Sequence, residues 1–187
     1  VSQRTSYYAG VCSNELACMV VAPKDEPKST IDLFSTVRRT QSGVLYDLDD
    51  SELSNHMGGG TLALTPGGKL LLSKQGRLAA VAPGLLAPAG AGSFDWADQR
   101  GAATFGELVQ RGLERELREE CALQPQHLVR TIVLGMSRQL ARGGKPDFYG
   151  ITLLHGQASA LQPRIHAGEI GLVDHHGHPN RRERRHG

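Results

Sequence analysis

Apolar positions recur with two different periods along the chain. Thr61-Leu62-Ala63-Leu64-Thr65 and Lys69-Leu70-Leu71-Leu72-Ser73 flank Pro66-Gly67-Gly68, which predicts a β-hairpin. From Phe105 the period lengthens. At about 100° per residue, Val109, Leu113 and Leu117 fall on one stripe, which predicts a helix ending near Cys121. Thr104 suits the N-cap, and Glu107 follows at the spacing of a capping box. His127 to Leu134 and Phe148 to Leu154 are rich in Val, Ile and Leu and read as strands. Arg142-Gly143-Gly144-Lys145-Pro146 between them reads as a turn. Pro83 to Gly101, rich in Gly, Pro and Ala, is expected to be a long irregular connection. Loops of that length in compact domains are often functional.

The first 57 residues carry a weaker pattern. Leu16 to Ala22 is an apolar run compatible with a strand, broken by the prolines and charges of Pro23 to Pro27. Ser29 or Thr30 could cap a short helix through Ile31, Leu33, Phe34 and Val37. Gly43-Val44-Leu45-Tyr46 suits another strand. Asp47, Asp49, Asp50 and Glu52 suit a solvated loop. From about Asp174 the chain is His- and Arg-rich without apolar periodicity, and poor order is expected there. The expected organisation is therefore an N-terminal extension (1–57), a domain (58–173) and a basic tail (174–187). A chain of 187 residues suits one well-buried domain with an extension.

Composition adds exclusions. With 39% hydrophobic and 21% charged residues, the chain reads as globular rather than disordered. The net charge of +2 is local, since Arg181, Arg182, Arg184 and Arg185 crowd the end. The body thus shows no basic footprint for nucleic acid. Cys12, Cys18 and Cys121 are odd in number and unevenly spaced, unlike a disulfide framework. No apolar run approaches a membrane span, and no signal-peptide pattern opens the chain. A reducing, cytoplasmic setting is the expectation.

The helix carries the informative conflict. Glu116 and Glu120 project into the sector of the apolar stripe, and Glu119 sits beside it. Arg111, Glu114 and Arg118 point away. Taking an ionised carboxylate out of water without compensation costs several kcal/mol in practice, and neighbouring acids repel one another. A divalent cation would offset both, because hard cations take carboxylate oxygens. Positions three and four apart lie on one helix face, so all three acids can reach one ion cluster. A charged helix edge whose acids reach solvent or pair with Arg115 fits the geometry equally well.

Spacing separates the two readings. Gly101 is followed after five residues by Glu107, and after seven more by Arg115-Glu116-Leu117-Arg118-Glu119-Glu120-Cys121-Ala122-Leu123. This resembles the Nudix box: Gly, five residues, Glu, seven residues, Arg-Glu-aliphatic-any-Glu-Glu-any-Gly-aliphatic. One named position departs, Ala122 standing for the final Gly. The resemblance spans about Gly58 to Leu172. It implies an α/β fold, the Nudix sandwich, with a mixed β-sheet between helices. It also implies Mg2+-dependent hydrolysis of a phosphoanhydride in a nucleoside diphosphate linked to another moiety, with Mn2+ as a substitute. Glu116, Glu119 and Glu120 then correspond to the metal-binding acids, with the carbonyl of Gly101 as a further candidate ligand. Arg115 corresponds to the arginine that orients those acids, and Glu119, Glu120 and Arg115 form the candidate catalytic set. Glu107 reads as the family glutamate, as a capping residue, or as both. The base varies within the family, so Glu169 and Asp147 are later-loop candidates beside the acids of the box. The expected partner is a small nucleotide; the closing C-terminal helix usual in the family is not encoded by Gly171 to Gly187, and could be supplied by another subunit, as in a homodimer, or be absent. A non-catalytic nucleotide- or protein-binding module is the rival class.

Other features are ambiguous. Arg138, Arg142 and Lys145 could meet phosphate or line a solvated turn. Phe94, Trp96 and Phe148 could stack on a base, although burial suits Phe148 better. Gly67-Gly68-Lys69-Leu70 lacks the first Gly and the Ser or Thr of a phosphate loop and reads as a turn. Asp174-His175-His176-Gly177-His178 offers metal-ligand types without a second cluster.

Overall fold

A computed structural model describes residues 4–22, 24–26, 28–32, 44–74 and 85–156. The chain forms two compact units. One comprises 1–58 and 136–147, the other 59–135 and 148–187.

The second unit holds the sheet and the long helix. Strands β3 (Gly58–Leu64) and β4 (Leu70–Lys74) form the expected hairpin, with Ala63 opposite Leu71 and Leu64 opposite Leu70. Its turn closes through Thr65 N–H to the Lys69 carbonyl and Gly68 N–H to the Thr65 carbonyl, both 2.9 Å. The supposed irregular connection is partly ordered. It contains β5 (Leu86–Pro88), antiparallel to β4, β6 (Gly90–Ser93), paired with β3, and a 3-10 turn at Trp96–Gln99. Small residues made that stretch look like a loop; at Gly90 and Gly92 the space a side chain would need is taken by Leu117 and Glu116 of the following helix. Strands β7 (Leu128–Gln139) and β8 (Lys145–Leu154) are longer than their apolar runs and extend into the other unit. The sheet order is β5-β4-β3-β8-β7, with β6 on β3.

Helix α2 (Phe105–Cys121) has the expected bounds and buries the expected stripe of Val109, Leu113 and Leu117. Each such side chain contributes about 1.5–3 kcal/mol by leaving water. Leu117 and Cys121 join Ala63, Leu71, Ala89, Leu123 and Leu154 in one core. Three buried threonines link neighbouring strands: the Thr152 hydroxyl lies 2.9 Å from those of Thr61 and Thr131, which satisfies polar groups that burial would otherwise penalise. The architecture is α/β, as expected. The second helical layer implied by the resemblance is not among the described residues.

The first unit corrects several N-terminal expectations. The apolar run at Leu16 is not one strand: Leu16–Cys18 is a 3-10 turn, and only Val20–Val21 (β1) pairs, with Ile31–Asp32 (β2). Ile31 is therefore extended rather than helical, while Leu33, Phe34 and Val37 lie outside the described residues. Val44 to Tyr46 shows only an isolated bridge at Leu45. A short helix, α1 (Tyr7–Gly10), continues into a π-helical turn at Val11–Glu15. Buried Asn14 donates to the Asn55 side chain at 3.0 Å and accepts from Asn55 N–H at 2.7 Å. Asn55 has a φ of 48°. The acidic stretch at Asp47 is exposed, as expected.

Candidate functional site

The site is assembled where α2 crosses β6. Two glycines permit that approach. A Cβ on Gly90 would stand 2.7 Å from Leu117 Cβ and 2.8 Å from its Cα; one on Gly92 would stand 2.1 Å from Glu116 Oε2. The helix backbone thus fills the space above Gly90, and the Glu116 carboxylate fills that above Gly92.

Arg115 organises the acids. Its Nε donates to Asp98 Oδ1 at 2.9 Å, and one terminal nitrogen donates to Asp98 Oδ2 at 3.1 Å and to the Ser93 carbonyl at 2.9 Å. The other terminal nitrogen meets Glu116 Oε1 at 2.9 Å and Glu119 Oε2 at 3.0 Å. The orienting role expected of Arg115 therefore has a geometry, and these partners push its pKa further up, Asp98 foremost. Glu116 is nearly covered, with 12% of its side chain exposed. Burial raises its pKa, while Arg115 pulls it back. Glu120 also turns inward, accepting from Ala91 N–H at 3.2 Å. Glu119 is open to water, at 61% exposure.

The three acids are brought to one end of one helix face without converging. Among the described residues, no group of three or more His, Cys, Asp or Glu side chains is gathered as a metal cluster. The donor set still suits a hard divalent cation, being carboxylate oxygen throughout, and the Gly92 surface cradles one of those carboxylates. Gly101, at φ 72°, directs its carbonyl to Arg111, which donates from 2.9 Å.

The remaining candidates are placed as follows. Glu107 serves as a cap: its N–H donates to Thr104 Oγ1 at 3.2 Å, and its carboxylate accepts from Ala103 N–H at 2.7 Å. Ala122 takes the left-handed conformation, φ 49° and ψ 34°, that the missing glycine would adopt freely. Phe94 and Phe148 are buried and stacked, with Phe105 edge-on to Phe148; Trp96 is 41% exposed. Arg138, Arg142 and Lys145 do not line an open phosphate site. Arg138 donates to the Gly144 and Tyr46 carbonyls, Arg142 pairs with Glu15, and Lys145 pairs with Asp147 at 2.6 Å. Asp147 also accepts from Gln139, so it is engaged by two donors. Glu169 and the tail from Asp174 lie outside the described residues.

Asp98 was missed by the sequence reading. Its signal was available: Asp95 and Asp98 have capping-box spacing. In the structure Asp98 accepts from Asp95 N–H at 2.8 Å, and Asp95 accepts from Ala97 N–H at 2.7 Å.

Comparisons with known proteins give loose likenesses. No family model and no curated protein matches the chain. Among solved structures it is similar to a Nudix hydrolase from M. smegmatis, RenU, at 16% identity over 72% of this chain and 77% of that one, with a TM-score of 0.40. It is also similar to DR0079 from Deinococcus radiodurans, at 15% identity over 72% and 78%, with a TM-score of 0.42. Superpositions this loose carry no weight by themselves; the spacing of the box and its setting on α2 and β6 are what a functional reading rests on.

Proposed function

We propose that the chain is a Nudix-type hydrolase that splits a phosphoanhydride bond in a nucleoside diphosphate linked to another moiety, using Mg2+ and water. One observation carries the reading: the box runs in register along α2, so that Glu116 and Glu120 turn inward over β6 and Arg115 ties Glu116 and Glu119 together. In this reading Glu116, Glu119 and Glu120 hold the cation, and the Gly101 carbonyl stands beside the helix start as a further ligand. Bound magnesium would neutralise phosphate oxygens and fix a water for in-line attack. The exposed Glu119 carboxylate can take a proton from water. Arg115 keeps the acids from drifting apart under mutual repulsion.

The test is Glu120→Gln in a panel of nucleotide sugars, dinucleotides and nucleoside triphosphates, with and without magnesium. The variant should lose magnesium-dependent turnover and keep the far-UV spectrum of the parent. Near-normal rates would refute the role of Glu120.

A second reading, a non-catalytic nucleotide- or protein-binding module, is favoured by one feature. Glu116 and Glu119 are taken up by Arg115 rather than gathered on a common point. Binding without turnover across the same panel would decide for it.

A further inference from the structure

We infer that Asp98 is a positioning residue for the candidate metal site. It fixes the guanidinium of Arg115 and so leaves Glu116 and Glu119 available to a cation. The inference rests on the hydrolase reading above and deepens it.

A guanidinium has five N–H groups in a rigid fork. Arg115 places two on Asp98, one on the Ser93 carbonyl and one on Glu119, and the terminal nitrogen that bonds Glu119 also lies 2.9 Å from Glu116 Oε1 as an ion pair. Four of the five are assigned, and three of those four go to the stretch between Ser93 and Asp98, so the plane of the guanidinium is fixed from that side and only one terminal nitrogen faces the acids.

Asp98 is itself held. Only 4% of its side chain is exposed. Its Oδ2 accepts from Asp95 N–H at 2.8 Å, inside the capping box of the 3-10 turn. The side-on, two-bond pairing with Arg115 is the strongest form of carboxylate recognition. Asp98 therefore transmits the position of a backbone turn to the guanidinium.

The charge balance gives this geometry a purpose. Asp98 neutralises Arg115 from the side away from the acids. Without it, the positive charge would be shared only among Glu116 and Glu119, which would then hold the guanidinium in competition with a divalent cation. Groups that orient ligands in this way typically change metal affinity by roughly 10–100-fold.

The experiment is a Mn2+ titration of the full chain, followed by water-proton relaxation, for the parent and for Asp98→Asn, Asp98→Glu, Arg115→Met and Asp98→Asn with Arg115→Met. Asp98→Asn should weaken Mn2+ binding at least about tenfold, and Asp98→Glu should recover part of the loss. Once Arg115 is gone, Asp98→Asn should change affinity less than about twofold, because its effect runs through that residue. Unchanged Mn2+ affinity in Asp98→Asn, or losses that multiply in the double variant, would overturn the inference. If Asp98→Asn does not fold, the double variant, which removes both members of the Asp98–Arg115 pair, is compared with Arg115→Met alone: equal affinities support the inference and unequal ones overturn it. A parent that binds Mn2+ without turning over any substrate defeats the hydrolase reading and leaves this one standing. A parent that binds no Mn2+ defeats both. The Arg115 Nε–H resonance supplies a readout that needs no metal: it should exchange slowly in the parent and be lost in Asp98→Asn, and its persistence there overturns the positioning role.

Discussion

Replacing Gly90 and Gly92 separately by Ala tests how α2 is seated. The two positions lie two residues apart on β6 and face the same helix, yet the consequences should differ in kind. A methyl group on Gly90 meets Leu117 Cβ and Cα at 2.7 and 2.8 Å. Those atoms are backbone or attached to it, so the helix must move. Overpacking of this type costs about 1–3 kcal/mol. For a chain of this size each kcal/mol lowers the melting temperature by roughly 2–4 °C, so Gly90→Ala should lose about 2–12 °C. A methyl group on Gly92 meets the far end of Glu116, with Oε2 at 2.1 Å and Oε1 at 2.8 Å. That end can rotate away, and leaving a buried position relieves the desolvation that raises its pKa. Stability should therefore change by less than about 1 kcal/mol. The carboxylate, however, leaves Arg115 and the β6 surface. Displacing an active group by about 1 Å can cost on the order of 100-fold in rate. The measurement is a thermal melt of both variants beside the magnesium-dependent rate on the first active substrate of the panel. Equal melting losses, or a Gly92→Ala protein with parental activity, would refute the claim that β6 presents backbone contact at one glycine and a working carboxylate at the other.

Ala122→Gly should stabilise the chain by about 0.5 kcal/mol: the left-handed conformation costs Ala about 1–2 kcal/mol, against roughly 0.4–1 kcal/mol for the freer unfolded glycine chain. Urea melts that show a loss would contradict this. Burial pushes the Cys121 thiol up to about 12, and its Sγ lies 3.3 Å from the Ala89 carbonyl. Because the unfolded thiol ionises near its ordinary 9.0 while the folded one does not, this group's contribution to stability should fall as pH rises from about 9 to about 12. Cys121→Ala should show a shallower fall over that range than the parent. A native thiol-labelling map should find Cys12, which is exposed, modified before Cys121; the reverse order would contradict the burial.

How much of this was legible in the chain depends on how local the determining forces are. The hairpin at Pro66 and the helix at Phe105 were readable because turn residues, a cap and a single-period stripe all agree within a few neighbours. The strand β6 was not, because Gly90 and Gly92 lower strand propensity for a reason that lies on another element: Leu117 and Glu116 occupy the space their side chains would fill. The N-terminal run at Leu16 failed for the opposite reason, since its apolar composition suits a 3-10 turn as well as a strand. The candidate site divides along the same line. Spacing alone located Arg115 and the three acids. Which acids turn inward followed from helical phase, and Glu116 obeys it closely. What spacing could not supply is the partner that fixes Arg115, because Asp98 lies seventeen residues away and its only local mark is a capping relation with Asp95. Three carboxylates on one helix would otherwise repel each other and draw the nearest arginine fully onto themselves. The structure gives that arginine a stronger, buried partner first, so the acids share only its remaining terminal nitrogen, Glu119 through a hydrogen bond and Glu116 through an ion pair.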